Sequence, residues 1–344
     1  MSRRKEGLEQ PLFTFTGNFL NEYLSEQMHR SPKTIISYQA CLRLLRDYIQ
    51  KKTNKNFYSF TFRQATRDFI LDFLCYLVDK GDTIATRNQR LACLKSYAKY
   101  VMNEDFTLSS WGVAVLSIPC ATQEKHIVGW LREDVLESIF NACPDTRFGN
   151  RDLAFMVLMY ESGARVSEIL TMRLKDLNIY KSKSSVRLHG KGGKTREVPI
   201  SDKCAEHISH YLSLFHTNED RNPDDHVFYT TIHGNRNEMS IGNAERFVTK
   251  YAAIARADNN NVPSKVTPHM FRHSRATHLL RSGVPLPIIG RFLGHVSLET
   301  TNIYAACDVD MLREAFDKVK DNMPEIQEEA LWEQEEILNK LCGL

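Results

Sequence analysis

The chain has 344 residues, 42% hydrophobic and 25% charged, a composition that excludes a disordered or fibrous protein and leaves room for two domains. Its net charge of +3 hides an asymmetry: residues 1–125 carry 18 Lys and Arg against 12 Asp and Glu, residues 126–318 carry 25 against 23, and residues 319–344 carry 2 against 7. A basic front suits a polyanionic partner, and an acidic tail suits a protein contact. No apolar run is long enough to span a membrane, and MSRRKEGLEQ lacks the apolar stretch of a signal peptide. The eight cysteines form no CxxC pair, which fits a reduced, cytoplasmic protein.

Residues 12–103 read as four consecutive amphipathic helices. In FTGNFLNEYLSEQM the apolar residues Phe15, Phe19, Leu20, Tyr23 and Leu24 recur at a spacing of three to four. SPKTIISYQACLRLLRDYIQ starts with Ser31 as N-cap and Pro32 at the first helical position. RDFILDFLCYLVDKG ends at Gly81, and TIATRNQRLACLKSYAKYVMN carries Leu91, Leu94, Tyr97 and Val101 on an apolar face. Residues 104–128 show no sustained period and read as a linker. A second domain, residues 129–318, opens with WLREDVLESIFNAC and continues into RDLAFMVLMYESG, apolar almost all round and closed by Gly163. SSVRLHGKGGKTREVPIS predicts a β-hairpin, with Val186–His189 and Glu197–Ile200 flanking a glycine-rich turn, and HVFYTT suggests another short strand.

Several segments hold residues suited to phosphate chemistry. GARVSEIL places Arg165 three residues before Glu168, a spacing that lets the carboxylate orient the guanidinium. By itself that pair reads more readily as a surface ion pair. TPHMFRHSRATHLL starts a helix at Thr267 and Pro268 and sets His269 and Arg272 side by side near an N-terminus that favours anions. GKGGK lacks the GxxxxGK[ST] spacing of a nucleotide-binding loop and offers Lys191 and Lys194 at a hairpin tip. His207 and His210 share a helix face but have no further metal ligand in a recognisable pattern. In LGHVSLETTNIYA, Gly294 permits a turn after which Ser297 caps a new helix, with His295 before it and Tyr304 two turns inside. Taken together, Arg165, a hairpin lysine, His269, Arg272, His295 and Tyr304 make a set: one nucleophile, two phosphate-gripping arginines, and groups to move protons.

At these residues the chain resembles the tyrosine recombinase (phage integrase) family, from about Thr14 to Lys318. GARVSEIL is similar to the family's first-arginine box, SSVRLHGKGGKTREVPI to its lysine-bearing hairpin, PHMFRHSRATHLL to its HxLRH box, and LGHVSLETTNIYA to its LGHxxxxTTxxY box. The resemblance implies a mainly α fold with a small β-sheet in the catalytic domain, built as a two-domain C-shaped clamp around DNA. It implies that Tyr304 attacks a phosphate to give a 3′-phosphotyrosine, that Arg165 and Arg272 grip the non-bridging oxygens, and that His269 acts as base. Lys191, preferred to Lys194 by its place after the first hairpin glycine, would protonate the leaving oxygen, and His295 would bond a non-bridging oxygen. His273 would support packing. Thr34, Arg87, Arg90 and Lys95 would face the DNA. Neither metal nor ATP is implied. The implied partners are double-stranded DNA with inverted-repeat core sites and three further protomers, identical or related, with no membrane. Residues 319–344 would form a helix that docks on a neighbouring protomer. The competing readings are DNA relaxation of the type IB topoisomerase kind and a non-catalytic DNA-binding protein.

Overall fold

The computed structural model describes residues 7–122, 129–180, 183–190, 193–217 and 221–294. Lys191, His295, Tyr304 and the acidic tail lie outside the described residues. The chain divides into two compact units, Met1–Lys125 and His126–Leu344. The protein is mostly helical with small antiparallel sheets, as the sequence pattern implies.

The first unit is built from α1 (Thr16–Asn18), which continues as a π-helix over Phe19–Gln27, then α2 (Pro32–Thr53), α3 (Arg67–Asp79) and α4 (Ile84–Glu104). Local chemistry sets each start: the hydroxyls of Ser31, Thr66 and Thr83 accept from the backbone N–H groups of Thr34, Phe69 and Thr86. Phe19 is fully buried and stacks among Tyr23, Tyr38, Tyr97 and Tyr100, with centroids 5.3–6.2 Å away. The reading of residues 104–128 as a linker changes here. A 3₁₀ turn at Phe106–Leu108 leads into α5 (Ser109–Leu116), and Trp111, Val115 and Ile118 enter the core of this unit. The indole N–H of Trp111 donates to the Ala65 carbonyl at 2.8 Å. Two turns of helix are too short for periodicity to register, so burial of the tryptophan, rather than pattern, defines the segment.

The second unit is centred on α7 (Arg147–Ser162), whose Phe155, Met156, Leu158 and Met159 are fully buried. Around it lie α6 (Glu133–Asn141), the short α8 (Val166–Leu170), α9 (Asp202–Phe215), α10 (Ile241–Asp258), α11 (Pro268–Arg281) and α12 (Leu286–Leu293). The expected hairpin forms from β2 (Ser185–His189) and β3 (Thr195–Pro199), and β1 (Leu177–Asn178) adds a third antiparallel strand. HVFYTT yields β4 (Tyr229–Ile232), which pairs with β5 (Asn235–Glu238) across His233 and Gly234, both at positive φ. The wholly exposed NRNE of β5 has no apolar alternation by which the sequence could announce a strand. Thr267 is the N-cap residue of α11, but its side chain makes no cap bond. Among the described residues no helix is long and apolar enough to cross a membrane.

Candidate active site

The site grows from the place where α7 stops. Gly163 takes the left-handed conformation at φ 56°, and a Cβ there would lie 2.7 Å from the Phe292 ring and 2.9 Å from Leu293. Only glycine lets the end of α7 sit against the end of α12. Two residues later Arg165 opens α8. Glu168, one turn on and only 4% exposed, turns back to accept from the Arg165 backbone N–H at 2.9 Å and from its Nη1 at 3.1 Å. Arg196 of β3 grips the same carboxylate with both guanidinium nitrogens, Nη1 at 3.0 Å and Nη2 at 2.8 Å. Burial raises the Glu168 pKa, but the bonds from Arg196 and Arg165 outweigh it and hold the group below the ordinary carboxylate range. Glu168 is therefore a charged, buried hinge pin for two arginines.

Arg272 is set differently. It is 3% exposed, and its fork donates to the carbonyl oxygens of Gly163 and Leu293, each at 2.7 Å. One side chain of α11 thus joins the end of α7 to the end of α12. His269, one turn before it, is solvent-facing. Its pKa is lowered from 6.5 by partial desolvation and then by the positive charges of Arg272 and Arg165, so it is neutral at pH 7. His269 therefore stands in the field of both arginines. His273, 6.1 Å from it between ring centroids, is driven down to about 4 by burial and by His269 and Arg272.

A cleft of about 660 Å³ opens beside Arg165. Its walls include Gly190, Lys194 and Arg196 of the hairpin, and Arg291 and Gly294 at the end of α12. Four cations against one already paired carboxylate suit an anionic ligand. Lys191 and His295 lie outside the described residues. Tyr304 also lies outside them. Arg196 and Arg291 were not singled out by sequence. For Arg196 a signal existed, because Arg196 and Val198 are the inward positions of β3 while Thr195, Glu197 and Pro199 face out.

In the first unit the four residues expected at DNA differ in their freedom. Arg87 is buried at 8% exposure, where Nη1 donates to Asn88 Oδ1 at 2.9 Å and to the Pro119 carbonyl at 3.2 Å, holding the segment after α5. Thr34 shares a 2.9 Å hydroxyl bond with Ser31 at the start of α2. Arg90 lies 3.9 Å from Asp82, and Lys95 is half-buried. As placed, Arg87 is a structural arginine, while Arg90 and Lys95 keep part of their side chains exposed.

This fold and this set of groups define a mainly helical protein with a cation-rich cleft. Residues 129–310 match the phage integrase family, and residues 18–105 match the phage integrase N-terminal SAM-like domain. The chain belongs to the phage integrase family of tyrosine recombinases, enzymes that cut and rejoin DNA. It is 33% identical over 279 residues to tyrosine recombinase XerA of Pyrococcus horikoshii, covering 81% of this chain and 87% of that one. It is 28% identical over 313 residues to tyrosine recombinase XerC of Pelotomaculum thermopropionicum, covering 89% and 98%. The fold is similar to that of XerH site-specific recombinase bound to palindromic difH substrate, with a TM-score of 0.67 at 19% identity over 88% of this chain and 84% of that one.

Proposed function

We propose that this protein is a site-specific recombinase that breaks and rejoins DNA through a 3′-phosphotyrosine on Tyr304. The observation that carries the reading is His269, kept neutral beside two arginines that carbonyl and carboxylate oxygens hold in place. A neutral imidazole there can accept the phenol proton. Tyrosine, with a pKa of about 10, needs that help to attack at neutral pH. As the Tyr304 oxygen bonds to phosphorus, Arg165 and Arg272 offset the charge that grows on the non-bridging oxygens, a task for which planar forks suit better than ammonium groups. His295 bonds one of those oxygens. The bond to the 5′-oxygen breaks, and Lys191 gives that oxygen a proton. The covalent link conserves the phosphodiester energy, so reversal onto a different 5′-hydroxyl transfers the strand without ATP or metal. Two duplexes with inverted-repeat core sites are held by four protomers, identical or related, with residues 319–344 docked between neighbours. Integration, excision, transposition and resolution all use this one reaction.

Strand joining separates this reading from simple relaxation. A nicked substrate that loses its 5′ end should trap the protein covalently, and adding a second cleaved duplex should yield joined product. Relaxation of supercoiled DNA with no joining would favour a topoisomerase instead, and binding with no capture would leave only a DNA-binding protein. The pH response tests the base. Because the His269 pKa lies below 6.5, single-turnover cleavage should be flat above neutrality and fall as pH drops through that lowered value. His269→Gln should be slow and lack that falling limb; a limb unchanged in the variant would assign the proton to another group.

A further inference from the structure

We propose that Arg196 is a positioning residue that locks the β2–β3 hairpin, the Arg165 segment and the end of α12 into one frame. Three observations converge on it. Its Nη1 and Nη2 hold both oxygens of Glu168, the carboxylate that also binds Arg165. Its Nε donates to the Phe292 carbonyl at 2.9 Å, in the last turn of α12. Its side chain packs against Gly294, where a Cβ would come within 3.0 Å of Nη1 and 3.3 Å of Cζ and Cδ. Gly294 is left-handed at φ 66°, so the turn that leads out of α12 is shaped against this side chain. The side chain is 14% exposed although it lines the cleft, because its donors face the protein.

The partners belong to two separate stretches of chain, Glu168 in α8 and Phe292 to Gly294 at the end of α12, and Arg196 itself comes from a third, β3. A planar fork reaches all of them at once; an ammonium reaches one. Through Glu168 the grip extends to the guanidinium of Arg165, and through β3 it fixes the arm of the hairpin that begins at Lys194. Every nitrogen of its guanidinium donates to a protein oxygen, so in the proposed reaction Arg196 acts through other groups and those groups meet the reacting atoms. It sets the distance between them, and a misplacement of about 1 Å in such groups costs on the order of 10²-fold in rate. The inference rests on the proposed strand transfer.

The test is Arg196→Lys and Arg196→Met in the full chain, on a DNA substrate that wild type cleaves. Affinity should stay within about two-fold and single-turnover cleavage should fall by about 10² in both variants. Glu168→Gln combined with Arg196→Lys should be no slower than the slower single variant, since both act through one frame. A substrate with a 5′-thio leaving group, which needs little protonation, should restore part of the rate if the hairpin has moved. Lys191→Ala with the thio substrate is the control: its failure to recover would overturn the assigned acid and leave the cleavage-against-binding comparison for Arg196 standing. Urea midpoints separate fold from frame. Arg196→Lys that is still fully folded under the assay conditions, even with a lowered midpoint, and cleaves slowly supports the proposal. Arg196→Lys that cleaves within three-fold of wild type overturns it, as does a rate loss additive with that of Glu168→Gln. If Arg196→Met proves unfolded, Arg196→Lys alone decides.

Discussion

Tyr304→Phe is expected to abolish covalent capture of cleaved DNA while leaving site binding within about two-fold of wild type. The two halves of that expectation have different physical origins. The phenol oxygen is the only heavy atom removed, and on the proposed reading it is the nucleophile that forms the bond. On the proposed reading, affinity for DNA comes from neutralising backbone phosphates, a task assigned to cations in both units, Arg90 and Lys95 in one and Lys194 and Arg291 in the other. Gel shift against denaturing gel reads the two quantities on the same samples. A denaturation-resistant adduct formed by the variant would show that another residue attacks.

Arg272→Lys is expected to be nearly as damaging to cleavage, and unlike Tyr304→Phe it should also weaken the fold. Arg272 is 3% exposed and satisfies two carbonyl oxygens, Gly163 and Leu293, at the tight contact between α7 and α12. A lysine can reach one of them. An unpaired buried carbonyl costs about 1–3 kcal/mol, and loss of one transition-state donor costs roughly 10²–10³ in rate. The Arg272→Lys urea midpoint should fall and cleavage should drop by at least two orders of magnitude. Arg165→Lys makes the contrast, because Arg165 is 37% exposed and its partner Glu168 keeps Arg196. That variant should lose rate with little change in midpoint. Equal destabilisation by the two substitutions would refute the distinction between a buried strut and a cleft-facing fork.

The helices α2 to α4 and α7, the β2–β3 hairpin, and the grouping of Arg165, His269 and Arg272 could all be read in the sequence, for a shared reason. Each is encoded locally, by an N-cap hydroxyl, an apolar stripe, a glycine at a turn, or a charged pair one turn apart. The features that could not be read depend on contacts across the chain. Trp111 makes α5 part of the first unit because its indole reaches Ala65, far away in sequence. Arg87 sits on the same helix as Arg90 and shares its charge, yet the carbonyl of Pro119 draws it inward. Arg196 shows only as an alternating strand residue until Phe292 and Glu168 are brought to it by folding. The segment LGHVSLETTNIYA is the reverse case: its motif is distinctive in sequence, and of its residues Leu293 and Gly294 fall among those the structure describes.

The most direct test of the central claim is to locate the phosphate. A nicked substrate carrying a 3′ label at the cleavage site is incubated with wild-type protein, the trapped adduct is digested with trypsin and nuclease, and the labelled peptide is sequenced by mass spectrometry. Cleavage after Arg291 and Arg313 gives a fragment spanning residues 292–313, and the account predicts that the nucleotide phosphate is carried there, on Tyr304. A labelled peptide from elsewhere in the chain, or full DNA cleavage with no protein-linked product, would contradict it.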